Sequence, residues 1–147
     1  MKMGGLVEQA ILDAAQALET RDQELAEQVR ANDRVIDELE ELLNEEAARV
    51  IALRAPTAID LRVILSVMRM SANLERIGDL AKNLAKRNAV LMSMPAINGS
   101  AAQLRRMSRD VQIMLKDALD AYIQRDEALA RDVIERDVDI DQMYNTL

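Results

Sequence analysis

Apolar residues recur at helical spacing along nearly the whole chain, and polar residues fill the positions between them. The pattern predicts a first helix over residues 4–20, with Leu6, Ile11, Ala14, Ala15 and Leu18 as its apolar side. Arg21-Asp22 interrupts it, and Asp22 can serve as the N-cap of a second helix. That helix runs to about Arg54 on a near-heptad stripe of Leu25, Val29, Ile36, Leu39, Leu43, Val50 and Leu53. Ala55-Pro56 ends it, because Pro56 has no N–H to donate and disfavours helix in the residue before it.

Thr57 to Asp60 reads as a capping box that opens a third helix, extending to about Asn88. This helix has two apolar faces, Leu61/Ile64/Leu65/Met68/Ala72 and Val63/Val67/Met70/Leu74/Ile77/Ala81/Leu84. A helix apolar on most of its circumference is expected between neighbours. Arg62, Arg69 and Arg76 share its remaining edge. Pro95 to Gly99 reads as a linker. Ser100 and Gln103 form a second capping box for a fourth helix to about Gln124, and a fifth begins near Asp126. The expected fold class is all-α.

The chain repeats itself. Shifted by 104 positions without gaps, residues 3–43 overlay 107–147 with 14 identities in 41 positions. Arg21-Asp22 meets Arg125-Asp126, and Asp33, Ile36 and Asp37 meet Asp137, Ile140 and Asp141. Similar amphipathic composition accounts for matched Leu and Ala, but not for matched Arg-Asp turns and matched Asp-x-x-x-Asp in one register. Duplication is the reading. It divides the chain into a first three-helix repeat at 1–95, a linker at 96–99 and a partial second repeat at 100–147. The counterparts of Glu75 and Asp79 would fall at 179 and 183, so the second repeat reads as incomplete and the chain as a fragment or a short form.

Composition narrows the chemistry. Neither His nor Cys occurs, which excludes Ser-His-Asp and Cys-His catalysis, HExxH, thiolate zinc sites and ferritin-like Glu-x-x-His sites. Any metal would have to sit on oxygen ligands. Four glycines build neither GxGxxG nor a Walker loop. A single-digit aromatic share and a net charge of −7 argue against nucleic acid. No run of about 18 apolar residues spans a membrane, and no signal-peptide pattern opens the chain, so the expectation is a cytoplasmic protein, peripheral to a membrane at most. Charge is segregated: residues 1–54 carry 6 basic and 13 acidic side chains, residues 55–99 carry 6 and 3, and residues 100–147 carry 7 and 10. The basic third helix is therefore expected between acidic partners.

Asp33/Asp37, Glu75/Asp79 and Asp137/Asp141 each place two acids one helical turn apart on one face. Two such pairs on facing helices would offer four carboxylates to a hard cation. Glu75 and Asp79 continue a core-type stripe, so they need a metal ion, water or a basic side chain, for which Arg34, Lys82 and Lys86 are the candidates.

Met3-Gly4-Gly5-Leu6-Val7-Glu8, Asp33-Arg34-Val35-Ile36-Asp37, Leu53-Arg54-Ala55-Pro56, Asp60-Leu61-Arg62 and Leu74-Glu75-Arg76-Ile77-Gly78-Asp79 resemble the PhoU family in order and spacing. The resemblance covers essentially the whole chain. It implies long-helix three-helix bundles in tandem, related by a pseudo-twofold, here with the second repeat incomplete. It also implies a non-enzymatic cytoplasmic negative regulator of phosphate uptake and phosphate-starvation signalling. The implied partners are the ATPase subunit of the phosphate ABC transporter and a sensor histidine kinase. A homodimer is expected on separate grounds: Leu129, Val133, Ile140, Met143 and Leu147 form an apolar stripe with no third helix of the second repeat to cover it, and a second copy paired through the fourth and fifth helices would do so. The family's E(D)xxxD motifs hold metal ions, iron or zinc among them. On this chain they fall at Asp33, Asp37, Glu75 and Asp79 for a first site, and at Asp137 and Asp141 for an incomplete second. The chain has Leu80 where the family often has His, and Lys86 where it often has Glu.

Two competing readings are a helical interaction or dimerisation module without metal, and an enzyme holding an anion on Arg62, Arg69 and Arg76. The enzyme lacks any evident nucleophile or tuned base, and a solvated arginine edge explains the same residues.

Overall fold

The computed structural model describes residues 2–94 and 100–146. The linker expected at 96–99 and the boundary beside it lie outside the described residues, as do Leu147 and the side chain of Ser100 in the second capping box. Five helices follow one another: α1 (Lys2–Thr20), α2 (Gln23–Arg54), α3 (Ala58–Met92), α4 (Ser100–Gln124) and α5 (Glu127–Asn145). No strand occurs among the described residues.

The central helix is α1, which packs against α2, α3 and α4; α2 also lies along α3, and α5 packs on α4. The sequence of α1 suits that place. Val7, Ala14 and Ala17 are fully buried, as nearly are Met3, Ala10, Ile11 and Ala15. Small side chains let three neighbours approach one helix at close range. Gly4 takes this furthest, since a Cβ there would stand 2.5 Å from Leu119 Cδ1 of α4. The expected Ile11, Ala14 and Ala15 lie on the buried face with Met3, Val7, Ala10 and Ala17, while the expected Leu6 and Leu18 are only half-buried beside it.

The other departures come from unequal lengths. At 1.5 Å per residue, the 19 residues of α1 span about 28 Å, whereas the 32 of α2 and 35 of α3 span about 48 and 52 Å. Along the stretch shared with α1 the stripe of α2 is buried at Val29 and Ile36. Beyond it Val50 and Leu53 are exposed, as are Val63 and Leu65 of α3. The expectation that α3 is buried on most of its circumference is therefore corrected. Its buried positions are Ser71, Leu74, Gly78, Ala81, Ala85 and Asn88, one face of its C-terminal half.

Both Arg-Asp turns have the same geometry. Arg21 and Arg125 each adopt φ 55°, and Asp22 N and Asp126 N bond back to Ala17 O at 2.9 Å and Ala121 O at 2.8 Å. This is the Schellman arrangement, with arginine where glycine is usual. The first capping box is not formed as expected. The Thr57 hydroxyl donates to Asp60 Oδ2 at 2.8 Å and accepts no bond from the backbone of α3. Gln103 reaches across to α5, donating to Thr146 Oγ1 at 3.0 Å and Met143 O at 3.4 Å.

Candidate functional site

The seam between α2 and α3 is where the sequence places its first set of carboxylates. Gly78 faces α2 there: a Cβ on it would stand 3.1 Å from Ile36 Cδ1 and 3.5 Å from Asp33 Oδ1. Glycine lets the helices close at this level, which buries Ile36 and with it Asp33, only 4% exposed. Asp37, one turn on, is exposed, while Glu75 and Asp79 are half-exposed on α3.

The four acids sense one another. The Asp37 carboxyl is raised above its usual range by desolvation first, then by repulsion from Asp33. Glu75 is raised by desolvation first, then by Asp79. Asp79 is instead held below the usual range, chiefly by a hydrogen bond from Lys82. The Lys82 ammonium is pushed well above the ordinary lysine range by its bonds to Asp33 and then Asp79.

Lys82 is the centre of this arrangement. Its Nζ donates to Asp33 Oδ2 and, at 2.7 Å, to Asp79 Oδ1, so one cation links the two helices. Helical side chains tilt toward the N-terminus of their helix, which sends a lysine three residues after Asp79 back over that carboxylate. The other basic candidates are elsewhere. Arg34 pairs with Glu38 at 2.9 Å in the solvent, and Lys86 is exposed, with no ion pair among the described residues. Removing one partner of a buried ion pair costs about 3–5 kcal/mol, and the remaining solvent contact of Lys82 puts this pair at the low end.

The same geometry decides whether a metal ion fits. The donor set is that of a hard cation, and Asp33 Oδ1 is buried without a hydrogen-bond partner among the described residues. Yet no group of three or more acids among the described residues is arranged to hold a metal ion, and Lys82 bonds one oxygen from each helix. As arranged, the residues fit an ammonium and do not fit a metal.

Asp137 and Asp141 lie exposed on α5, which has no buried residue. The stripe of Leu129, Val133, Ile140 and Met143 is half-buried as α5 packs on α4, and is not left open as expected; a polar tie that periodicity does not reveal adds to it. Arg136 bonds Asp117 of α4 at 2.7 Å and Asp132 at 3.1 Å, which raises its own pKa, chiefly through Asp117. Asn88 was also missed. Fully buried on α3, it donates to Asp22 O at 3.1 Å and ties α3 to the first Arg-Asp turn. Its polarity on an otherwise small and apolar face was the available signal. Arg62, Arg69 and Arg76 are exposed, as a solvated edge requires.

The PhoU domain family model matches residues 1–87 and 104–147. Over 146 residues, 99% of its length, the chain is 39% identical to the phosphate-specific transport system accessory protein PhoU homolog of Caulobacter vibrioides, covering 64% of that protein. It is 42% identical to the homolog of Zymomonas mobilis, covering 61% of it. Among solved structures, PhoU from Pseudomonas aeruginosa superposes with a TM-score of 0.93 at 39% identity, over 99% of this chain and 69% of that one. The phosphate transport system regulatory protein PhoU from Streptococcus pneumoniae gives 0.90 at 31% identity, over 99% and 68%. The chain thus spans 61–64% of the length of these two curated relatives.

Proposed function

The chain belongs to the PhoU family, and from that premise we propose that it is a cytoplasmic, non-enzymatic regulator of phosphate uptake that works by contact. The observation that carries this reading is the agreement of nearly the whole chain with phosphate-transport accessory and regulatory proteins in both sequence and fold. The proposed partners are the ATPase subunit of the phosphate ABC transporter and its sensor histidine kinase. Absence of His and Cys supports regulation by contact, since the nucleophile–base pairs built on them cannot be assembled. No helix among the described residues is long and apolar enough to cross a membrane.

A bacterium lacking its own PhoU, and carrying a reporter of a phosphate-starvation gene, tests this. Expression of the chain should lower the reporter in high phosphate. A reporter that stays high while the chain accumulates in soluble form would contradict it.

A second reading, a helical interaction module without metal, is favoured by one observation: the Lys82 bridge satisfies the acidic seam from within. We further propose a homodimer through the outer face of α4 and α5, where Ile134 and Val138 are exposed.

A further inference from the structure

We infer that Lys82 is the resident cation of the acidic seam, so that the pairing of α2 with α3 needs no metal ion and a metal can enter only when Lys82 leaves. The inference is independent of the regulatory role. Three observations carry it. Lys82 Nζ bonds Asp33 of one helix and Asp79 of the other, the place a bridging metal ion would take. Asp33 is nearly fully buried, so its charge requires a fixed partner, and the structure supplies that partner from within the chain. The remaining acids, Asp37 and Glu75, point to no second cation: no group of three or more acids among the described residues is arranged around one.

The chemistry follows from what a tethered ammonium can do. It is delivered by the fold itself, in one-to-one proportion, and it cannot be removed by a chelator. It carries one positive charge and three donors, enough for two carboxylate oxygens with one donor left for solvent. A divalent cation would need to displace it, because an ammonium already bonded to two of the four acids repels a second cation. Asp33 Oδ1, buried and unbonded, is the oxygen such a cation would gain once Lys82 is gone.

The test compares the wild-type chain with Lys82→Gln by equilibrium dialysis against manganese chloride and against zinc sulfate. The wild type should show no saturable binding that depends on Asp79, whereas Lys82→Gln should gain a site of about tenfold or greater affinity. Adding Asp79→Asn to Lys82→Gln should remove the gain. Wild-type binding as tight as that of the variant, and lost in Asp79→Asn, would overturn the inference, as would a folded Lys82→Gln that gains nothing. If Lys82→Gln does not fold, the wild type alone decides. Its thermal midpoint should be the same with and without chelator, and a midpoint that falls on chelation and returns with either metal would overturn the inference.

Discussion

Asp22 and Asp126, 104 positions apart, cap α2 and α5 by the same bond: each accepts from the backbone N–H three residues on, Leu25 and Leu129, at 3.0 Å. Their backbones agree as closely, φ −88° and ψ 102° against φ −89° and ψ 97°. The duplication seen in the sequence is therefore also a duplication of local geometry.

The caps should act alike. Asp22→Ala and Asp126→Ala should each lower stability by about 1 kcal/mol in denaturant melts. Arg125→Gly should do the opposite. Arg125 holds φ 55°, a conformation that costs a residue with a Cβ up to about 1 kcal/mol relative to glycine.

Ile36 tests the α2–α3 seam from its apolar side. It is 1% exposed and faces Gly78. Ile36→Ala should destabilise the fold by about 2–5 kcal/mol. The neighbouring Val35 is 40% exposed, and Val35→Ala should cost no more than about 0.5 kcal/mol. Chemical denaturation of both variants checks the contrast.

Arg136 tests the hold of α4 on α5. Its bonds to Asp117 and Asp132 are half-shielded from solvent, so Arg136→Ala should cost about 1–2 kcal/mol. The loss should be local. Hydrogen exchange should quicken along α5 and leave Ile36 and Leu74 protected as before.

Self-association has its own test. Ile134 and Val138 are 72% and 58% exposed. Light scattering should report a dimer for the wild type, and Ile134→Asp with Val138→Asp should yield a folded monomer whose thermal midpoint no longer depends on protein concentration. A wild type that is monomeric at every concentration would rule out this interface.

The fold is most legible in the sequence where residue identity and local chemistry agree. The Arg-Asp turns and the Pro56 break were legible because each depends on residues within one turn of it. The length of α1 relative to α2 and α3 was also legible, but its consequence was not: periodicity marks Val50, Leu53, Val63 and Leu65 as apolar without saying whether a neighbour reaches them. The acidic seam shows the same limit. Four carboxylates and three candidate bases could be named from spacing, but choosing Lys82 over Arg34 and Lys86 needs the tilt of the side chain and the level of Gly78. A capping box is a local pattern, so it gives no sign that the Gln103 amide nitrogen also bonds α5.

The most direct test of the proposed role is binding. The purified ATPase subunit of a phosphate ABC transporter, immobilised and titrated with the wild-type chain at high and at low phosphate, should show saturable, stoichiometric binding with no change in either protein's covalent state. Absence of saturable binding to that subunit at both phosphate levels, with a chain that is folded by circular dichroism, would contradict regulation by contact with the transporter.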